Sequence, residues 1–133
     1  MNNSNFNIGF VAITHYQLGE EVLRIIQGIT NEAPSMIPVS IDPDQNSEEN
    51  KQLIKNAIKS FNNKDAIIIL SDFYGATPSN LCQEFLKKGK IEMITGCNMP
   101  IVLKASTLKK HTSIEETVHF LMDYGKLNIR NHP

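Results

Sequence analysis

His15 closes the apolar run Asn7-Ile8-Gly9-Phe10-Val11-Ala12-Ile13-Thr14. An imidazole at the end of such a run can serve as base, metal ligand or nucleophile. A second polar group stands after a second apolar run: Asp72 follows Ala66-Ile67-Ile68-Ile69-Leu70-Ser71. If the two runs are adjacent parallel strands, the Asp72 carboxylate reaches the imidazole and accepts the proton of Nδ1. That bond fixes the tautomer, frees the Nε2 lone pair, and stabilises the positive charge that develops as Nε2 attacks an electrophile. The residues after Asp72 select the electrophile. Gly75-Ala76-Thr77-Pro78 leads into a helix start, where unpaired backbone N–H groups and the positive dipole end favour an anion such as phosphate. Nucleophile, orienting carboxylate and phosphate seat together point to a phosphohistidine rather than an acyl or glycosyl intermediate.

The elements that must position these groups follow from periodicity. Both runs are apolar at successive positions, as strands covered on both faces are. Between them, Leu18, Val22, Leu23, Ile25, Ile26 and Ile29 recur at helical spacing. Met36 to Ile41 reads as a short strand that Pro38 confines to an edge or a bulge. Asn46 or Ser47 caps a second helix whose buried stripe is Leu53, Ile54, Ala57, Ile58 and Phe61. After the central strand, Thr77 as N-cap and Pro78 as first helical residue open a helix expected to reach Gly89. Ile91 to Thr95 is a fourth strand, Pro100 to Leu108 a helical stretch, and Ser113 with Glu116 a capping box for a last helix ending at Tyr124-Gly125. The tail Lys126 to Arg130 alternates polar and apolar residues and reads as a C-terminal edge strand.

Strands alternating with helices predict an α/β fold: a doubly wound, mainly parallel sheet of four strands with helices on both faces, in one domain over residues 1–133. Ligands in such folds bind beyond the carboxyl ends of the strands. That rule selects the loop holding Thr14 and His15 and the loop Ser71 to Thr77. Tyr16, Phe73 and Tyr74 flank the site and suit either the docking of a protein partner or core packing. Asn98 stands on another strand-end loop, where it either lines the site or shapes a turn. His111 lies in a polar Lys109-Lys110-His111 run and reads as solvated or structural.

Composition narrows the partners. A formal charge of −1 lacks the broad attraction that nucleic acid or an anionic membrane surface requires. The start, Met1-Asn2-Asn3-Ser4-Asn5, has no basic region or long apolar run, and no later segment is a membrane span, so a cytoplasmic protein without direct membrane insertion is expected. The two cysteines, Cys82 and Cys97, form no metal-ligand spacing and are expected as free, buried thiols. No metal and no organic cofactor is expected. A flavodoxin-like nucleotide binder is disfavoured because no Gly-x-Gly-x-x-Gly or Gly-x-x-x-x-Gly-Lys loop is present.

Val11 to His15, Ser71 to Asn80 and Gly96 to Leu103 resemble, in order and spacing, the three signature stretches of the mannose-family enzyme IIA of the bacterial sugar phosphotransferase system. The resemblance implies that His15 is phosphorylated on Nε2, that Asp72 orients it, and that Gly75, Ala76 and Thr77 cradle the phosphoryl oxygens. It implies the phosphocarrier HPr as donor, an enzyme IIB as acceptor, and association with a membrane permease complex through such partners. A homodimer is also implied, with the C-terminal strand exchanged between subunits. The sequence departs from the family at Phe73-Tyr74 and Gly75-Ala76, where relatives often carry a tryptophan and a Gly-Gly pair, and with Pro133 the last residue any IIB acceptor is expected to be a separate protein. The same chemistry fits a regulator switched by His15 phosphorylation, or a phosphotransferase subunit feeding dihydroxyacetone kinase.

Overall fold

Three consecutive isoleucines leave the Ala66–Ser71 segment little choice but extended backbone, because a branched Cβ packs well on a pleated surface. All six residues are buried, and each isoleucine contributes about 1.5–3 kcal/mol by leaving water. The computed structural model describes residues 6–133; residues 1–5, read above as lacking a leader, lie outside the described residues. The element order is β1 (Ile8–His15), α1 (Leu18–Thr30), β2 (Met36–Ile41), α2 (Ser47–Lys59), β3 (Ala66–Ser71), α3 (Thr77–Cys82), β4 (Ile91–Ile94), α4 (Met99–Thr107) and α5 (Ile114–Leu127).

The strands form one parallel sheet in the order β2-β1-β3-β4. This is the expected four-stranded α/β sheet with helices on both faces. Alternation along β1 divides the core: Ile8, Phe10 and Ala12 pack with α1, α4 and α5, while Val11 and Ile13 pack with α2 and α3. From β1 the chain crosses to β2 on one side, then returns to β3 on the other. The switch point therefore lies between β1 and β3, where a crevice opens beyond the strand ends. Pro38 sits on β2, an edge strand, opposite Ala12, so its missing N–H costs the sheet nothing.

Caps follow the sequence with local exceptions. Asn46 accepts from the N–H groups of Glu48 and Glu49 at 2.7 and 3.3 Å. Ser113 accepts from Glu116 N–H at 3.1 Å, but the Glu116 carboxylate takes the Thr112 hydroxyl rather than completing the box. The N-cap of α3 is Ala76, one residue before the expected Thr77.

Two expected elements differ. The helix from Thr77 stops at Cys82 and gives way to a single 3₁₀ turn, Gln83–Phe85, rather than reaching Gly89. Lys87 and Ile91 bond each other through both backbone groups, at 2.8 and 2.9 Å, around a turn with Gly89 at φ +78°. That turn reverses the chain into β4 and outcompetes further helix. The C-terminal edge strand over Lys126 to Arg130 is likewise not formed. Lys126 and Leu127 continue α5, and the Asn128 backbone N–H closes the helix on the carbonyls of Tyr124 and Gly125. Gly125, read as a helix stop, is instead a close-approach residue: a Cβ there would run into the Ile101 side chain of α4.

Candidate active site

β1 ends because Tyr16 takes a left-handed conformation (φ 48°), uncommon for a bulky side chain, while its N–H still reaches Ile41 O at 2.8 Å. The entry to α1 is closed from the strand: Thr14 Oγ1 accepts the Gly19 N–H at 2.8 Å. Thr14 is buried and spends its hydroxyl on this cap, so it supports the site from behind. These ties leave His15 projecting over the α2/α3 side of the sheet at its carboxyl rim.

The β1/β3 register pairs Ile13 with Ser71, so the end of β1, Thr14-His15, runs beside Asp72, the residue that follows β3. Asp72 Oδ2 accepts two hydrogen bonds from His15, one from the backbone N–H at 2.9 Å and one from Nδ1 at 2.7 Å. The other oxygen, Oδ1, accepts from Phe73 N–H at 3.0 Å. Burial pushes the Asp72 carboxyl up, but the His15 backbone and ring bonds and the Phe73 amide outweigh it and hold the group below the usual carboxylate range. An ionised Asp72 requires the proton between the pair to sit on Nδ1, so Nε2 carries the lone pair. The His15 side chain is 24% exposed and that of Asp72 8%, so the imidazole is reachable from solvent and the carboxylate is largely covered. Phe73 stacks on the imidazole with ring centroids 5.1 Å apart and planes inclined by 18°.

Beyond Phe73, Tyr74 is 78% exposed and Gly75 adopts φ +83°, a conformation that favours glycine. Ser79, a buried residue of α3, fixes this bend: its hydroxyl accepts from Gly75 N–H at 3.0 Å and donates to Ala76 O at 3.1 Å. Tyr16, Phe73 and Tyr74 are all exposed, so none of the three serves core packing. Asn98 is not among the groups brought together. Its Oδ1 caps α4 by accepting from Ile101 N–H at 3.1 Å, and its Nδ2 donates to Gly125 O at 3.0 Å. Sequence reasoning missed Ser79, whose only signal is a hydroxyl three residues past the helix N-cap. It also missed the neighbouring backbone bond from Cys97 N–H to Ser71 O at 3.1 Å, which ties the β3 and β4 loops.

Both cysteines are free; burial pushes the thiols of Cys82 and Cys97 up to about 12. Among the described residues no group of three or more His, Cys, Asp or Glu side chains is gathered to hold a metal, and no helix is long and apolar enough to cross a membrane.

Comparison with known proteins meets this geometry. Residues 9–122 match the family described as PTS system fructose IIA component, EIIA-man. The PTS system sorbose-specific EIIA component of Lacticaseibacillus casei is 23% identical over 113 residues, covering 84% of this chain and 81% of that protein. The PTS system fructose-specific EIIA component of Bacillus subtilis (strain 168) is 23% identical over 94 residues, 70% of this chain, and the match spans 64% of its own length. The mannose/sorbose specific IIA subunit of the phosphotransferase system from Enterococcus faecalis superposes with a TM-score of 0.85 at 18% identity, covering 96% of each chain.

Proposed function

Because the chain belongs to the EIIA-man family of phosphotransferase system components, we propose that it carries a phosphoryl group on Nε2 of His15, taken from HPr and passed to an enzyme IIB of the mannose, fructose or sorbose type. One observation carries this reading: a single buried oxygen, Asp72 Oδ2, holds both the backbone N–H and Nδ1 of His15. The imidazole is thereby fixed in position and tautomer before any partner arrives.

In the transfer, the N–P bond of the donor phosphohistidine breaks and its electron pair returns to the donor ring, while Nε2 of His15 forms the new N–P bond. Asp72 keeps the Nδ1 proton in place and offsets the charge gained by the ring. Passage to the acceptor reverses the step at Nε2. The Gly75 N–H is occupied by Ser79, so the phosphoryl oxygens fall to the amides of Ala76 and Thr77, with Gly75 supplying the bend. Tyr16, Phe73 and Tyr74 form the docking rim for both partners. The protein acts in the cytoplasm without metal or organic cofactor, as a homodimer, and Leu127 and Ile129, 69% and 75% exposed, are apolar residues for self-association.

The test is incubation with phosphoenolpyruvate, enzyme I and HPr, followed by intact mass under alkaline conditions. One added phosphate on the wild type and none on His15→Ala is expected. No phosphate on the wild type, or undiminished phosphate on His15→Ala, would overturn the reading. Sedimentation reports the dimer.

A further inference from the structure

The loop that follows Asp72 is held at both ends by different means. Its first half is tied to His15 through Asp72 and the stacked Phe73. Its second half, Gly75-Ala76, has no side chain able to hold it: glycine offers none, Ala76 only a methyl, and the N-cap position of α3 receives no side-chain cap. Two residues of the following helix perform that task. Ser79, fully buried, bridges the Gly75 amide and the Ala76 carbonyl with one hydroxyl. Asn80 adds a bond from Nδ2 to Gly75 O at 3.3 Å.

We propose that Ser79, assisted by Asn80, is a positioning residue for phosphoryl transfer: it holds the Gly75-Ala76 backbone in the bend that aims the Ala76 and Thr77 amides at the phosphoryl oxygens. This rests on the phosphohistidine reading above. The cause is geometric. A buried hydroxyl that accepts from one peptide and donates to the next fixes their mutual orientation, and small displacements of preorganised donors cost disproportionately in rate. With Ser79 setting the loop, Ala76 needs only the extended conformation observed, φ −98° and ψ 173°, which an alanine adopts without strain.

The decisive experiment compares wild type, Ser79→Ala and Asn80→Ala in rapid-quench transfer from phospho-HPr, together with the hydrolytic lifetime of the phosphorylated protein. For Ser79→Ala the maximal transfer rate is expected to fall about 10-fold. The half-saturating phospho-HPr concentration should stay within twofold, because the docking aromatics are untouched, and the phospho-form should hydrolyse at an altered rate. A merely structural serine would leave rate and lifetime unchanged once folding, checked by circular dichroism, is equal; that result overturns the proposal. If Ser79→Ala fails to fold, Asn80→Ala decides. Its side chain is exposed, a two- to threefold loss of maximal rate is expected, and wild-type kinetics overturn the proposal. Absence of phosphate on His15 of the wild type defeats the underlying reading instead, so the two failures are distinguishable.

Discussion

His15 and His111 are both partly buried imidazoles engaged through Nδ1, yet their partners make them opposites. His15 Nδ1 faces a carboxylate oxygen at 2.7 Å and must donate. His111 Nδ1 faces the Ile8 N–H at 3.1 Å and must accept. The first histidine therefore presents a free lone pair on Nε2, while the second has already used its lone pair and carries its proton on Nε2. His111 also sets its ring edge-on to Phe10, with centroids 5.7 Å apart, and pairs its backbone with Phe6. It clasps the start of β1 as His15 ends it. Whether the outer nitrogen of each ring is left with a lone pair or a proton is decided by the group beside Nδ1.

The contrast breaks most directly by deletion. His15→Ala should abolish phosphate incorporation with folding unchanged, whereas His111→Ala should leave incorporation intact, both read by intact mass under alkaline conditions. Asp72→Asn should slow single-turnover transfer on the order of 10²-fold, because an amide no longer offsets the charge on the ring and offers the wrong partner for Nδ1–H. Normal transfer by that variant would remove Asp72 from the chemistry. In stability the ranking reverses. His111→Ala should cost about 1–2 kcal/mol in urea unfolding through loss of the Ile8 acceptor and the Phe10 contact.

The two histidines also separate by pH. Burial first, then nearby Lys64, lowers the His111 pKa against a raising bond from the Phe6 backbone. The unfolded chain then binds a proton near the ordinary value of about 6.5 while the folded chain does not. Stability is full above that pH and declines as pH falls below it, and His111→Ala should flatten this slope in urea midpoints measured between about pH 5 and 7. The smallest effect is expected from Phe73→Leu, which removes the stack on His15 and should slow transfer only a few-fold, since stacking contributes about 0.5–1.5 kcal/mol.

The strands and their faces were legible because consecutive branched residues such as Ile67, Ile68 and Ile69 admit few other conformations and fill both sides of a parallel sheet. The pairing of His15 with Asp72 was legible because both stand at strand ends, and topology places adjacent strand ends together. Local apolar pattern misleads where a distant contact decides. Leu81, Phe85 and Leu86 suit a longer helix, but the Lys87–Ile91 closure ends it. Gly125 looks like a stop signal until Ile101 is seen to require its missing side chain. Alternation in Lys126 to Arg130 is weaker than the pull of a helix already running. Asn98 could be placed on the right loop from sequence, but its commitment to Ile101 and Gly125 depends on how α4 and α5 pack.

The His15–Asp72 bond joins residues 57 positions apart. It exists only after the chain has completed two crossovers and set β3 against β1 in one register. A slip of a single residue would turn the histidine to the opposite face of the sheet. Pairings of such long sequence separation form late and slowly. On the phosphohistidine proposal, the capacity to accept phosphate becomes a readout of completed folding: the return of His15 labelling during refolding should track the slowest phase of sheet assembly, and incomplete chains should stay silent to phospho-HPr.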